Sequence, residues 1–179
     1  MAFNIADIKS NLPFGGARPT LFQCIITLPP GVPGDLSKLQ FLARATSLPA
    51  SNLGLIQIPY FGRKVKIAGD RTYDPWQVTI MNDEDFKIRG TMEAWNYTIN
   101  SYAANLQTAA NINQYKADAQ IIQYGKGGNI LRVYDFKGIF PETISNIDVD
   151  WNANDVIEEF QVQFQYDYWI VGGGPNVLA

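Results

Sequence analysis

The chain has 179 residues, enough for one domain with a buried core, and only 17% of them are charged against 46% hydrophobic. Histidine is absent and Cys24 is the only cysteine; an intrachain disulfide and any Ser-His or Cys-His catalytic pair are excluded, and no run reaches the ~18 apolar residues of a membrane helix. Charge is divided along the chain: residues 1–137 hold all 14 Lys and Arg with 10 acids, whereas residues 138–179 hold 7 acids and no base.

In chain order, Met1–Asp7 carries neither a basic region nor a hydrophobic run, which predicts a protein that begins in a cytoplasm rather than a secreted one. Residues 1–19 are broken by Pro13, Gly15, Gly16 and Pro19 and are expected to form an arm with at most one short helix, over Ile5–Ser10. Leu21–Leu28 reads as a strand ended by Pro29-Pro30, and Pro29–Asp35 as a loop. Within the strand, Cys24 reads as a small buried hydrophobe. Further strands are expected at Leu39–Ser47, Leu55–Ile58 and Val65–Ala68. Trp76–Met81 alternates strictly, with Trp76, Val78 and Ile80 on one side, as a strand with one buried face requires.

The period then changes. Asp83-Glu84-Asp85 places acids at a helix start, and Ile88, Met92, Trp95, Ile99 and Tyr102 follow at helical spacing, which predicts one helix over Asp83–Tyr102. Residues 103–117 are polar and read as a loop. Ala119–Tyr124 and Ile130–Phe140 are predicted to pair around a Gly125–Asn129 turn, followed by a strand at Ile144–Val149. Phe160–Tyr168 alternates most clearly, with Gln161, Gln163, Gln165 and Asp167 on its polar side. A Gly-rich tail over about residues 171–179 ends the chain, and 1–179 is expected to be one domain. Many strands and one helix predict a mainly β protein, an antiparallel sandwich or partial barrel with the helix at its side.

Catalytic and cofactor chemistry has little to stand on. Asp83-Glu84-Asp85 suits a helix start better than acid–base work. Asp148 and Asp150, on one face of an expected strand, match a glycosidase pair and a solvated strand face equally. Gly125-Lys126-Gly127-Gly128 lacks phosphate-loop spacing. No catalytic, cofactor-binding or metal-binding residue is expected, and the chain is not expected to be an enzyme. The aromatic content keeps open a sugar-binding β-sandwich, which would need an exposed aromatic platform. Low charge leaves surface for burial against other copies, and a basic part followed by an acidic one suits head-to-tail contacts between copies and charges paired within one chain equally.

Several segments resemble the tail tube family of contractile-tailed, T-even-like bacteriophages. These are Ala17–Gln23, Ala45–Ala50, the long block Arg63–Glu84 with its Ala-Gly-Asp-Arg-Thr core at 68–72, and Asp150–Val162 running on to Asp167-Tyr168-Trp169. The Pro29–Asp35 loop and the tail beyond Trp169 depart from the family pattern. The resemblance implies a structural subunit that forms homohexameric rings stacked into a tube inside a contractile sheath. Baseplate and tape-measure proteins are the implied partners, and phage DNA passes non-specifically down the lumen. It places the protein in the virion tail, assembled in the host cytoplasm, without cofactors or membrane insertion. A genome-free injection particle built from the same tube stays open as the alternative. On this basis Arg18, Arg63, Lys64, Asp70 and Arg71 are candidate contacts between copies. Gln161, Gln163, Gln165 and Asp167 are candidate channel-lining residues, since a lumen that conducts DNA should not grip phosphates.

Overall fold

Alternation of apolar and polar side chains underlies most of the observed architecture. In the computed structural model, residues 5–104, 106, 107 and 109–172 are described. The elements run α1 (Ile5–Asn11), β1 (Phe22–Thr27), α2 (Leu39–Leu42), β2 (Ala43–Thr46), β3 (Asn52–Tyr60), β4 (Arg63–Thr72), β5 (Trp76–Met81), α3 (Lys87–Ile99), β6 (Ala117–Tyr124), β7 (Ile130–Ile144), β8 (Glu159–Gln165) and β9 (Tyr168–Gly172). One antiparallel sheet has the order β1-β6-β7-β8-β5-β2, with β9 paired to β7 off that path, and β3 and β4 form a separate hairpin.

The long strand β7 is the spine. Its first half pairs with β6 and β9, and its second half with β8. Gly138 sits at the change with φ +69°, and a Cβ there would lie 2.2 Å from Asp167 Oδ2. Glycine alone takes this backbone conformation cheaply and leaves room for the neighbouring chain. Opposite it, Tyr166 and Asp167 separate β8 from β9, and Asp167 N donates to Lys137 O at 3.0 Å. The kink turns the sheet over on itself into a partial barrel.

Inside the curve lie Trp76, Val78 and Ile80 of β5, Phe160, Val162 and Phe164 of β8, Phe136 and Ile139 of β7, and Ala119 and Ile121 of β6, all buried. Trp76 stacks on Phe136 with centroids 4.7 Å apart, and its Nε1 donates to Thr46 Oγ1 at 2.7 Å. The large ring is thus buried without orphaning its polar atom. Helix α3 adds Ile88, Met92 and Trp95 to the same core. Trp95 Nε1 donates to Tyr115 O at 2.6 Å.

The strand at Trp76–Met81 and the turn over Gly125–Asn129 stand where the alternation places them. Other boundaries move for physical reasons. The expected strand Leu39–Ser47 divides into α2 and β2. Leu36 and Leu39 are both buried, a three-residue spacing that favours a helical turn over a strand. The helix expected over Asp83–Tyr102 covers only Lys87–Ile99. Asp83–Asp85 form the turn before it: Phe86 N donates to Asp83 O, Lys87 N to Asp85 Oδ1, and Lys38 Nζ bridges Asp83 and Asp85. Tyr102 lies past the helix, exposed, with its hydroxyl donating to Glu93 O at 3.1 Å.

The strand expected at Ile144–Val149 is absent beyond Ile144, so Asp148 and Asp150 do not share a strand face. Each accepts locally instead: Asn146 Nδ2 donates to Asp148 at 2.8 Å, and Asn152 N to Asp150 at 2.9 Å. The run Phe160–Tyr168 is broken by the kink into β8 and β9. The tail beyond Gly172 lies outside the described residues.

Candidate functional site

The feature with most to say about function is the hairpin. The expected short strands Leu55–Ile58 and Val65–Ala68 are the middle of two longer ones, β3 and β4, of nine and ten residues. Phe61 and Gly62 close them with φ +42° and +78°, the two positive values that a tight two-residue hairpin turn demands. Near the base a register shift brings Gly54 and Gly69 together, and a Cβ on Gly69 would meet Gly54 at 3.1 Å.

Register sorts the hairpin side chains onto two faces. Ile56 opposes Ile67, Ile58 opposes Val65, and Tyr60 opposes Arg63; one face is therefore apolar with a cation at its tip. Gln57 opposes Lys66, and Pro59 opposes Lys64, so the other face is basic. Almost all of these residues are exposed, Phe61 at the tip to 91%. A two-stranded ribbon exposed on both faces is marginal in water by itself.

Of the candidate contacts between copies, Arg63 and Lys64 lie at the hairpin tip, and Asp70 and Arg71 near its base. The Arg71 guanidinium donates to Ser51 Oγ at 2.6 Å. Arg18 stands apart, in the exposed arm just before β1. Spacing within each short run did not show that the two runs share a face, because that depends on which residues pair across the turn. Cross-strand pairing of Ile56, Ile58, Val65 and Ile67 is the signal that finds it.

Gln161, Gln163 and Gln165 lie together on the face of β8 opposite the core residues Phe160, Val162 and Phe164. Their neighbours make that face broader than one strand. Gln77 of β5 pairs in register with Gln163, and Glu142 of β7 accepts from Gln163 Nε2 at 2.9 Å and Gln165 Nε2 at 2.6 Å. Asp167 lies past the end of β8, in the kink, where Lys116 Nζ binds both its carboxylate oxygens at 2.6 and 2.8 Å.

A third surface is the segment between β7 and β8. It carries Asp148, Asp150, Asp155 and Glu158 without a base, and exposes Val149, Val156, Ile157 and a completely exposed Trp151. No group of three or more potential metal ligands occurs among the described residues. Burial pushes the Cys24 thiol up to about 12, against a smaller opposing hydrogen bond with Thr46. That makes it a poor nucleophile.

Known proteins are similar to this chain in sequence and fold. The profile of the family described as phage tail tube protein matches residues 17–172. The tail tube protein gp19 of Enterobacteria phage T4 is 33% identical over 154 residues, covering 86% of this chain and 90% of the relative. The tail tube protein of Serratia phage KSP90 is 26% identical over 125 residues, 70% of each chain. Among solved structures, a chain in the tube-terminating cap of the anti-feeding prophage superimposes with a TM-score of 0.64 at 19% identity, covering 89% of this chain and 92% of that one. That likeness shows the fold. With the family profile spanning all of the described strands, the chain belongs to the phage tail tube protein family.

Proposed function

We propose that this tail tube subunit closes into hexameric rings that stack inside a contractile sheath, above a baseplate, and that phage DNA passes through the lumen they enclose. Its role is structural rather than catalytic. The observation that carries this reading is the exposed hairpin β3–β4, whose apolar face is left open by the described residues of a lone chain. The sheet supports it. The path ends in β1 and β2, each paired on one side only. Unpaired edges are an aggregation hazard in a monomer, and joining them between neighbours is a route to a closed ring.

On this reading Arg63, Lys64, Asp70 and Arg71 act at contacts between copies, and Arg18 with the arm contributes to them. Gln161, Gln163 and Gln165 line the channel, with Asp167 at its margin. The 33% identity to the T4 tube protein supports a genome-delivering tail over a genome-free particle.

Negative-stain electron microscopy of the purified chain tests the assembly. Rings or hollow tubes of uniform width are expected. A chain that stays monomeric at high concentration under all conditions would overturn the proposal.

A further inference from the structure

We infer that the basic hairpin β3–β4 of one copy seats on the acidic, tryptophan-bearing segment 148–158 of another. This rests on the tube reading above and names the two surfaces that meet.

The hairpin must be covered by something apolar. Ile56, Ile58, Tyr60, Val65 and Ile67 form one exposed face, and solvated apolar area of this kind marks an interaction surface. Its other face and tip carry Arg63, Lys64 and Lys66, none of which enters an ion pair among the described residues. A partner must therefore offer apolar contact and negative charge together.

The segment 148–158 offers both. Asp148, Asp150, Asp155 and Glu158 are exposed, make no ion pair among the described residues, and alternate with Val149, Trp151, Val156 and Ile157. The charged pairs of the sheet are already matched elsewhere: Arg44 with Glu159, Lys137 with Asp118, Lys116 with Asp167. Arg63, Lys64, Lys66 and Arg71 of the hairpin stand outside these pairs, and the segment holds four acids outside them with no base beside them. Each surface complements the other and repels itself. A contact between two different patches of one chain is head-to-tail, so it builds a ring or a stack instead of ending at a two-fold dimer.

Charge reversal on each side, and on both, tests the contact. Lys64→Glu with Lys66→Glu should raise the concentration needed for tube formation at least about tenfold, and Asp148→Lys with Asp150→Lys should do the same. Mixing the two variants, or combining all four changes in one chain, should restore assembly. Trp151→Ser should weaken assembly without altering the circular dichroism of the unassembled chain, because the ring packs on nothing within it. If wild type forms tubes and each reversal polymerises as well as wild type, the contact is refuted while the tube reading stands. Failure of the combined variant to recover, with its unassembled fold intact, refutes it too. If wild type forms no rings, the tube reading itself falls.

Discussion

At the scale of single residues, two contacts fix parts of the chain that composition leaves unspecified. The Pro29–Asp35 loop is held against α3 by Thr91, a buried threonine whose Oγ1 donates to Lys87 O at 2.7 Å and accepts from Asp35 N at 3.1 Å. Gly34 makes room for it: its φ is +142°, and a Cβ would lie 2.3 Å from Thr91 Oγ1. Gly34→Ala should therefore cost at least about 2 kcal/mol, from backbone strain and overpacking together. A fall in the urea midpoint of the unassembled chain would show it; an unchanged midpoint would mean that the loop does not bear on the core. The second contact is the bridge from Lys38 to the turn before α3. The Lys38 hydrogen bond, then the Lys87 backbone N–H, lower the Asp85 carboxyl from 3.8 to about 2. A depressed carboxyl stabilises the folded chain above its unfolded value and stops doing so as pH falls through its folded one. Wild type should therefore lose stability between about pH 4 and about pH 2. Lys38→Met should flatten that slope, and added salt should flatten it too, since the pair is exposed. Thermal melts of both chains across that range would decide it.

Elements differ in how far the sequence reveals them. Strand β5 was legible because Trp76, Val78 and Ile80 all face one core with no shift of register against β8. The buried stripe of α3 was legible for the same reason at helical period, although its start was not: Phe86 takes a left-handed φ of +50°, and only the bridge from Lys38, far away in sequence, explains why the acids stay outside the helix. The β8–β9 kink was hidden because alternation runs through it unbroken. What bends the chain there is Gly138 on the neighbouring strand. The hairpin was half legible. Its turn and middle stand in the sequence, but its length and its apolar face depend on cross-strand register. Because it packs on little of its own chain, it should be separable from folding. Ile58→Asn with Val65→Asn should leave the melting temperature of the unassembled chain within about 2 °C of wild type, while abolishing tubes by electron microscopy. A large loss of melting temperature would instead make the hairpin part of the folding core.

For the whole molecule, the decisive property on the proposed tube reading is that every substitution is repeated around a ring. The face formed by Gln77, Gln161, Gln163, Gln165 and Glu142 carries one formal charge, and that charge is negative. If it lines the channel, DNA slides past amides and carboxylates and releases no counterions to them. Gln161→Lys with Gln163→Lys would place rings of cations along the bore. Each lysine that meets a phosphate adds salt-dependent affinity, with a slope of about 0.9 in log concentration per contact on duplex DNA. Tubes should still assemble, because these side chains lie opposite the core. Particles carrying the variant should eject their genome more slowly at low salt and recover as salt rises. Ejection followed by dye binding over a salt series reads this directly. Equal ejection rates for variant and wild type at every salt concentration would mean that this face is turned away from the DNA, leaving another non-core part of the sheet, around Gln120 and Asp135 of β6 and β7, as the surface the genome meets.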